Sequence, residues 1–228
     1  MTAQFLSTST LRTVFAMLLV VSLICSMSIR YGHADTPIAM DAESVTPLGE
    51  GDVAPRFLVR TVDGDSFDFD PRDLDRPAIL ISFRGGWCPY CNIHLSELRH
   101  VVPEISDMDV DVYFLSGDRP EVLYEGLAGD TQTDIDGLGY EILSDADANA
   151  AIALGIAFRA DSAYVQRLRN ANKDIAESSI EREGVLPVPA VFAIGTDGRI
   201  AYAHVNADFR VRLPADELLN VATELAGP

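Results

Sequence analysis

Two cysteines separated by two residues, Cys88 and Cys91, follow an apolar run and open an amphipathic stretch. The run Ala78–Phe83 carries no charge, which is typical of a central strand covered on both faces. A pair of glycines then interrupts the strand pattern, and Pro89 suits the first turn of a helix. The sequence therefore predicts a strand–turn–helix unit with both thiols at the N-terminal end of the helix.

The helix after the first cysteine is predicted to run from about Cys88 to Val102 and to end at Pro103. One face of this helix carries apolar or sulfur-containing side chains at helical spacing, namely Cys91, Leu95, Leu98 and Val102. Cys91 thus faces the protein core, and Cys88 is expected to remain accessible.

The other segments predict one α/β domain, because strand and helix patterns alternate along the chain. A hairpin is expected over residues 56–70 around Asp63-Gly64, and a second over 191–205 around Asp197-Gly198. Between and after them we expect strands at 110–115 and 140–143, helices at 119–127, 145–154 and 214–226, and a polar, partly helical excursion at 156–186. The predicted fold class is a central mixed β-sheet flanked by helices, with an N-terminal β-hairpin extension.

Residues 1–34 have the pattern of a secretory signal peptide. They contain no acidic residue, and 17 uncharged residues lie between Arg12 and Arg30, followed by the small-x-small sequence Gly32-His33-Ala34. An uncleaved membrane anchor is the alternative, since this length is at the lower limit for a span. We expect an exported, periplasmic or otherwise extracytoplasmic protein with a flexible, exposed leader over 35–49 and its domain over 50–228.

Composition excludes several classes of function. Of 228 residues, 35 are acidic and 17 are basic, which gives a net charge of −18 and disfavours binding to nucleic acid. Apolar residues make up 48% of the chain, enough for a buried core. Three cysteines, one of them in the signal segment, are too few for a disulfide-stapled scaffold.

The spacing of Cys88 and Cys91 favours redox chemistry. A thiol at a helix N-terminus faces free amide N–H groups and the positive end of the helix dipole, and both favour the thiolate. We expect Cys88 to be the nucleophile, Cys91 to attack the resulting mixed disulfide, and Trp87 to shield the pair from solvent.

A zinc site is the alternative explanation of a Cys-x-x-Cys pair. It would need two further ligands, and the histidines available after the signal segment are His94, His100 and His204. No second closely spaced ligand pair exists, so we expect no metal and no cofactor.

Three segments resemble the peroxiredoxin-like branch of the alkyl hydroperoxide reductase/thiol-specific antioxidant family, which has a thioredoxin-like fold. The opening Gly51-Asp52-x-Ala54-Pro55-x-Phe57 is similar to that family's start, and FRGGWCPYCN over 83–92 looks like its active-site signature. Leu186–Ala190 followed by Asp197-Gly198 resembles its closing half. The resemblance spans about residues 50–226.

The resemblance implies an antioxidant thiol oxidoreductase, with Pro189 as a cis-proline beside the disulfide. The sequence also departs from the family pattern. Peroxiredoxins have Thr or Ser three residues before the peroxidatic Cys, and here Cys88 occupies that position relative to Cys91. Peroxiredoxins also carry an arginine shortly before the Phe of the following strand, and here Pro189 stands at that position. Arg84 could take the place of that arginine in space. Many thioredoxins have a buried acid just before the Phe that matches Phe83, and here that residue is Ser82.

Two functions share this chemistry. The first is peroxide reduction, and the second is thiol–disulfide exchange with a protein, each followed by recycling through a thiol reductant such as a thioredoxin-like protein. A copper-holding protein that uses the two cysteines with His94 or His204 is a third interpretation, and a redox-inert binding module is a fourth, which the intact cysteine pair disfavours.

Overall fold

The apolar runs of the sequence form the centre of a seven-stranded mixed sheet. The computed structural model describes residues 37–123 and 140–227. Its strands are β1 (Phe57–Arg60), β2 (Ser66–Phe69), β3 (Ala78–Phe83), β4 (Asp111–Ser116), β5 (Tyr140–Ser144), β6 (Ala157–Arg159), β7 (Val185–Pro187), β8 (Ala190–Ile194) and β9 (Ile200–Val205). The large sheet has the order β2-β1-β5-β4-β3-β8-β9, and β6 pairs with β7 in a separate ribbon.

Strand β3 lies in the middle of the large sheet because both of its faces are apolar. It pairs in parallel with β4 and antiparallel with β8, and all six of its residues are buried. Since β3 and β4 run in parallel, the loops after Phe83 and Ser116 leave the same edge of the sheet. The thioredoxin-like arrangement predicted from the sequence is confirmed, and this edge carries the two cysteines.

Helices flank the sheet and begin where prolines or polar side chains favour a first turn. They are α1 (Pro89–Leu98), α2 (Val102–Asp107), α3 (Asn149–Ala153), α4 (Ser162–Asn170), α5 (Ser179–Arg182) and α6 (Ala215–Ala226). The single helix expected up to Val102 is in fact two. Pro103 lies in the first turn of α2 and does not end α1, because a proline there gives up no backbone hydrogen bond.

The N-terminal hairpin has the register that its alternating pattern predicts. Phe57 lies opposite Phe69, and Val59 lies opposite Phe67, with a turn closed by the Thr61 N–H donating to the Asp65 carbonyl. The rings of Phe57 and Phe69 stack at 4.8 Å between centroids. The hairpin joins the large sheet where Arg60 pairs with Ser144, so it extends the sheet as expected.

The segment expected to be a flexible leader lies against the domain over most of its described length. The Ala39 N–H donates to the Ala157 carbonyl, and the Arg159 N–H donates to the Ala39 carbonyl, so this residue bridges to β6. Val45 and Leu48 pack on the core, although much of the segment remains exposed. The sequence did not reveal this because isolated backbone pairing leaves no periodic pattern.

Two expected helices are shorter than predicted within the described residues, and the signal segment lies outside those residues. The helix expected from Asp145 begins at Asn149, and the Asp145 carboxylate accepts from the N–H groups of Ala150 and Ala151 in its first turn. The helix expected over 119–127 is described only as the short 3₁₀ turn Pro120–Val122, and its remainder lies outside the described residues, as does the signal segment. No helix in the described ranges is long and apolar enough to cross a bilayer.

Candidate active site

The two cysteines lie at the start of α1, at the edge where β3 ends. Cys88 is the N-cap residue in extended conformation, and Pro89 is the first helical residue. The Cys91 and Asn92 N–H groups both donate to the Cys88 carbonyl, which fixes Cys88 on the first turn. Both thiols are buried, with 3% of Cys88 and 1% of Cys91 exposed. The expectation of an exposed Cys88 is therefore wrong.

Aromatic side chains from distant parts of the chain contribute to this burial. The ring of Trp87 packs against Tyr164 of α4 at 6.4 Å, and Tyr90 packs edge-on against Phe209 at 5.4 Å. Burial raises the pKa of the Tyr164 hydroxyl, and the positive charge of Arg84 acts against this increase. Tyr164, in the polar excursion at 156–186, thus packs on the residue that precedes the cysteines.

Arg212 is the cation beside the cysteines. Its Nη2 donates to Cys91 Sγ at 3.4 Å, and its Nε donates to the Phe209 carbonyl at 2.9 Å. Arg212 belongs to the irregular segment between β9 and α6, far from α1 in sequence. Charge-assisted contacts of this kind stabilise a thiolate over a thiol.

The electrostatics of the pair differ sharply between its two members. Burial acts to raise the pKa of Cys91, but the hydrogen bond from Cys88, the charge of Arg212 and the Arg84 backbone N–H together lower it to about 6. The hydrogen bond to Cys91 raises the pKa of the Cys88 thiol, and burial raises it further. These interactions favour negative charge on Cys91 over Cys88, with Cys88 as the hydrogen-bond donor.

The predicted supporting residue Arg84 lies near the pair, but its guanidinium faces aromatic rings. Its Cζ stands 4.5 Å from the ring centroid of Phe209 and 5.8 Å from that of Phe158. Its backbone N–H donates to Cys91 and lowers the pKa of that thiol. Arg212, and not Arg84, therefore supplies the positive side chain at the sulfur.

A buried acid lies on the other side of the glycine turn. Asp118 follows β4, is 3% exposed, and accepts from the Gly86 N–H through Oδ2 at 2.6 Å. Its Oδ1 and the Trp87 Nε1 both approach the point where a Cβ on Gly85 would lie. Burial raises the pKa of Asp118 to about 7, and the charge of Cys91 adds to this shift. Asp118 is thus a buried acid whose charge interacts with that of Cys91, and Ser82 has no such group.

Pro189 lies on the far side of the site in a trans peptide, because the described residues contain no cis peptide bond. The expected cis-proline is therefore wrong. The extended chain from β7 into β8 needs no reversal at this point, so the trans isomer that proline also favours suffices. Pro189 still lines a narrow cleft together with His94, His204 and Arg212.

A second, open cavity of about 260 Å³ reaches the site from the surface. Arg212 lines this cavity as well, so one side chain contacts both the cavity and Cys91. Apolar walls come from α1 and from the segment before α6, and they include Ile93, Leu213 and Pro214. Neither cysteine lines this cavity, which adjoins the pair through the Arg212 side chain.

The histidines considered as metal ligands have other surroundings. His94 is buried and its Nε2 donates to the Leu213 carbonyl at 2.9 Å, while His100 is exposed. His204 is half-buried, and burial lowers its pKa. Across residues 37–123 and 140–227, no group of three His, Cys, Asp or Glu side chains is arranged to hold a metal ion.

The sequence brought out the cysteines but missed Arg212 and Asp118. Asp118 could have been found, because it follows a strand parallel and adjacent to the one before the cysteines. Arg212 has no such signal, since it stands among other polar residues in a segment without periodicity.

Comparison with known proteins gives a consistent relationship. The model of the AhpC/TSA family matches residues 51–203. The peroxiredoxin Bcp of Escherichia coli K12 is 25% identical over 183 residues, which cover 80% of this chain and 100% of that protein. The thiol-disulfide oxidoreductase ResA of Halalkalibacterium halodurans is 24% identical over 106 residues, 46% of this chain and 56% of ResA.

Solved structures share the fold. Reduced Prx3 from Vibrio vulnificus, determined in complex with H2O2, superimposes with a TM-score of 0.57 at 15% identity, and the match covers 77% of this chain and 99% of that one. Peroxidoxin BcpB from Mycobacterium tuberculosis has a TM-score of 0.53 at 16% identity over 77% of this chain and 96% of that one.

Proposed function

This chain belongs to the AhpC/TSA family, and on that premise we propose that it is an exported thiol peroxidase that reduces peroxides through Cys88 and Cys91. The observation that carries the proposal is the 3.4 Å contact between Arg212 Nη2 and Cys91 Sγ. A thiolate beside a guanidinium in a buried site is an activated nucleophile with a cation ready for the charge that develops on a peroxide oxygen.

In the proposed reaction, the Cys91 thiolate attacks one peroxide oxygen and the O–O bond breaks. The leaving oxygen takes a proton and departs as water or an alcohol, while Cys91 becomes a sulfenic acid. The Cys88 thiol then attacks the Cys91 sulfur, a disulfide forms, and the hydroxyl leaves as water with the Cys88 proton. Two electrons from a thiol reductant restore the pair.

This order of events reverses the roles expected from the sequence. The expected nucleophile was Cys88, because it stands at the helix N-cap. The charges favour Cys91, because Arg212 contacts its sulfur and Cys88 donates to it. Cys88 also stands at the position of the peroxiredoxin Thr or Ser, where an S–H group can replace the hydroxyl as a hydrogen-bond donor.

Single-cysteine variants test both the activity and the order. The pre-reduced protein is mixed with hydrogen peroxide, and the fluorescence of its single tryptophan, Trp87, follows oxidation. We expect a fast reaction that Cys91→Ser abolishes, whereas Cys88→Ser still reacts once and accumulates a trappable sulfenic acid. A fast peroxide reaction that survives in Cys91→Ser and is lost in Cys88→Ser would restore the original assignment.

Thiol–disulfide exchange with a protein is the second candidate. The similarity to ResA favours it, as do two exposed apolar side chains on α1, Tyr90 and Ile93, which could contact a protein substrate. Burial of both sulfurs opposes it, since exchange requires in-line approach of a second sulfur. If a protein disulfide oxidises the reduced pair rapidly while hydrogen peroxide reacts no faster than a free thiol, this second function replaces the first.

For the partners and the location, we propose a thioredoxin-like reductant outside the cytosol. The support for export is the uncharged segment between Arg12 and Arg30 with its small-x-small exit. Fractionation and N-terminal sequencing of the protein from its source cells would test this. A chain that begins near Asp35 in the soluble extracytoplasmic fraction supports cleavage, and an intact N-terminus in the membrane fraction supports the anchor.

A further inference from the structure

His94 is a buried histidine that the proposed reaction does not use. It lies three residues after Cys91 on the same buried face of α1 and is 5% exposed. Burial lowers its pKa to about 4, so the ring is neutral near pH 7. Because a carbonyl only accepts hydrogen bonds, the 2.9 Å contact with Leu213 means that Nε2 carries the proton.

The bond from His94 ends one residue away from Arg212. Leu213 is fully buried, and Pro214 after it has no N–H group to donate a backbone hydrogen bond. The Phe209 carbonyl holds the Arg212 Nε within the same segment. The contact from His94 instead ties the segment to α1, the helix that carries the cysteines.

We propose that His94 is a positioning residue of the redox centre: its Nε2–H bond to the Leu213 carbonyl holds the Arg212 guanidinium against Cys91 Sγ. This inference deepens the proposed function and rests on it. The two contacts form a closed arrangement, in which α1 provides Cys91 and His94 while one short segment provides the partners of both. Neither end can move along the other without lengthening one of the bonds.

Charged neighbours do not account for the placement of His94. The charges of Arg212 and His204 both lower the pKa of His94, so both oppose its protonation. Glu97 and Arg210 face the open cavity that His94 also lines. The ring therefore acts as a neutral donor, which an amide can replace.

The test uses His94→Leu, which removes the donor at similar volume, and His94→Gln, whose Nε2 amide can reach the same carbonyl. The thiolate of the reduced protein is titrated by its ultraviolet absorbance, with no peroxide present. We expect His94→Leu to raise the pKa of Cys91 and to lower the peroxide reaction rate at pH 7 about two- to tenfold, since each pKa unit is a factor of ten in protonation. His94→Gln should restore most of both, and the exposed matched control His100→Leu should change neither.

A double-mutant cycle distinguishes positioning from a general loss of packing. If His94 acts through Arg212, His94→Leu should shift the thiolate titration in the native background and leave it unchanged in Arg212→Met. A folded His94→Leu protein with a native titration would overturn the proposal, as would an equal shift in both backgrounds. Because the titration needs no substrate, a protein that lacks peroxidase activity but shows this coupling would refute the proposed function alone.

Discussion

Replacement of Arg212 by methionine should remove the charge beside Cys91 while keeping an apolar stem of similar length. A hydrogen bond to a charged group contributes about 1.5–3 kcal/mol. At about 1.36 kcal/mol per pKa unit, this corresponds to about one to two units. The pKa of Cys91, lowered to about 6 in the native protein, should therefore rise to about 7–8 in Arg212→Met.

The expected kinetic effect follows from the thiolate fraction. At pH 7 that fraction should fall from about nine-tenths to between about one-half and one-tenth, so the rate falls about two- to tenfold from this cause alone. Raising the pH should recover this part of the loss. Any deficit that persists at high pH measures the contribution of Arg212 to the charge that develops on the peroxide oxygen.

The assay combines thiolate titration with stopped-flow oxidation by hydrogen peroxide from pH 5 to 9. Arg210→Met is the matched control, because Arg210 is exposed and pairs with Asp208. We expect its thiolate titration to match that of the native protein. An unchanged titration of Cys91 in folded Arg212→Met would refute the reasoning, because the guanidinium would then contribute nothing to the thiolate.

Two further predictions concern the turn before the cysteines. The pKa of Asp118 is raised in the folded protein, so ionisation of this carboxyl destabilises the fold more and more from about pH 4 to about pH 7. Asp118→Asn should therefore gain stability relative to the native protein across this interval. A difference in free energy of unfolding by urea that stays constant with pH would contradict this prediction. Gly85→Ala should destabilise the protein by about 1–3 kcal/mol and slow oxidation, because φ is +148° and the new Cβ would lie 2.5 Å from Asp118 Oδ1 and Trp87 Nε1; native thermal stability of this variant would contradict that geometry.

The elements that the sequence predicted well are those whose pattern is local. The run Ala78–Phe83, the hairpin around Asp63-Gly64 and the stripe on α1 all show their burial in the order of their side chains. The misplaced helix end at Pro103 shows the limit of this reasoning, because a proline is equally compatible with the residue after a helix and with the first turn of the next.

Within the site, the sequence predicted the two cysteines and not the residues that surround them. Cys88 is the N-cap residue of α1 and Cys91 lies in its first turn, and a spacing of three residues brings their side chains together whatever surrounds them. Whether Cys88 is exposed depends on the side chains that pack around it, and the spacing of the cysteines does not specify these. Those surroundings come from α4 and from the segment before α6, which no spacing rule links to α1.

The sequence by itself therefore determined the α/β architecture, the cysteine pair and its place at a helix N-terminus, because periodicity and turn chemistry act over a few residues. The tertiary structure alone places the Arg212 guanidinium beside one of the two sulfurs, that of Cys91. Arg212 lies 121 residues from Cys91 in the chain and Asp118 lies 32 residues from Gly86, and they reach the site only because the parallel strands and the final helix fold their connecting segments onto one edge of the sheet. A pKa depends on distance in space, and that distance is a property of the packed molecule.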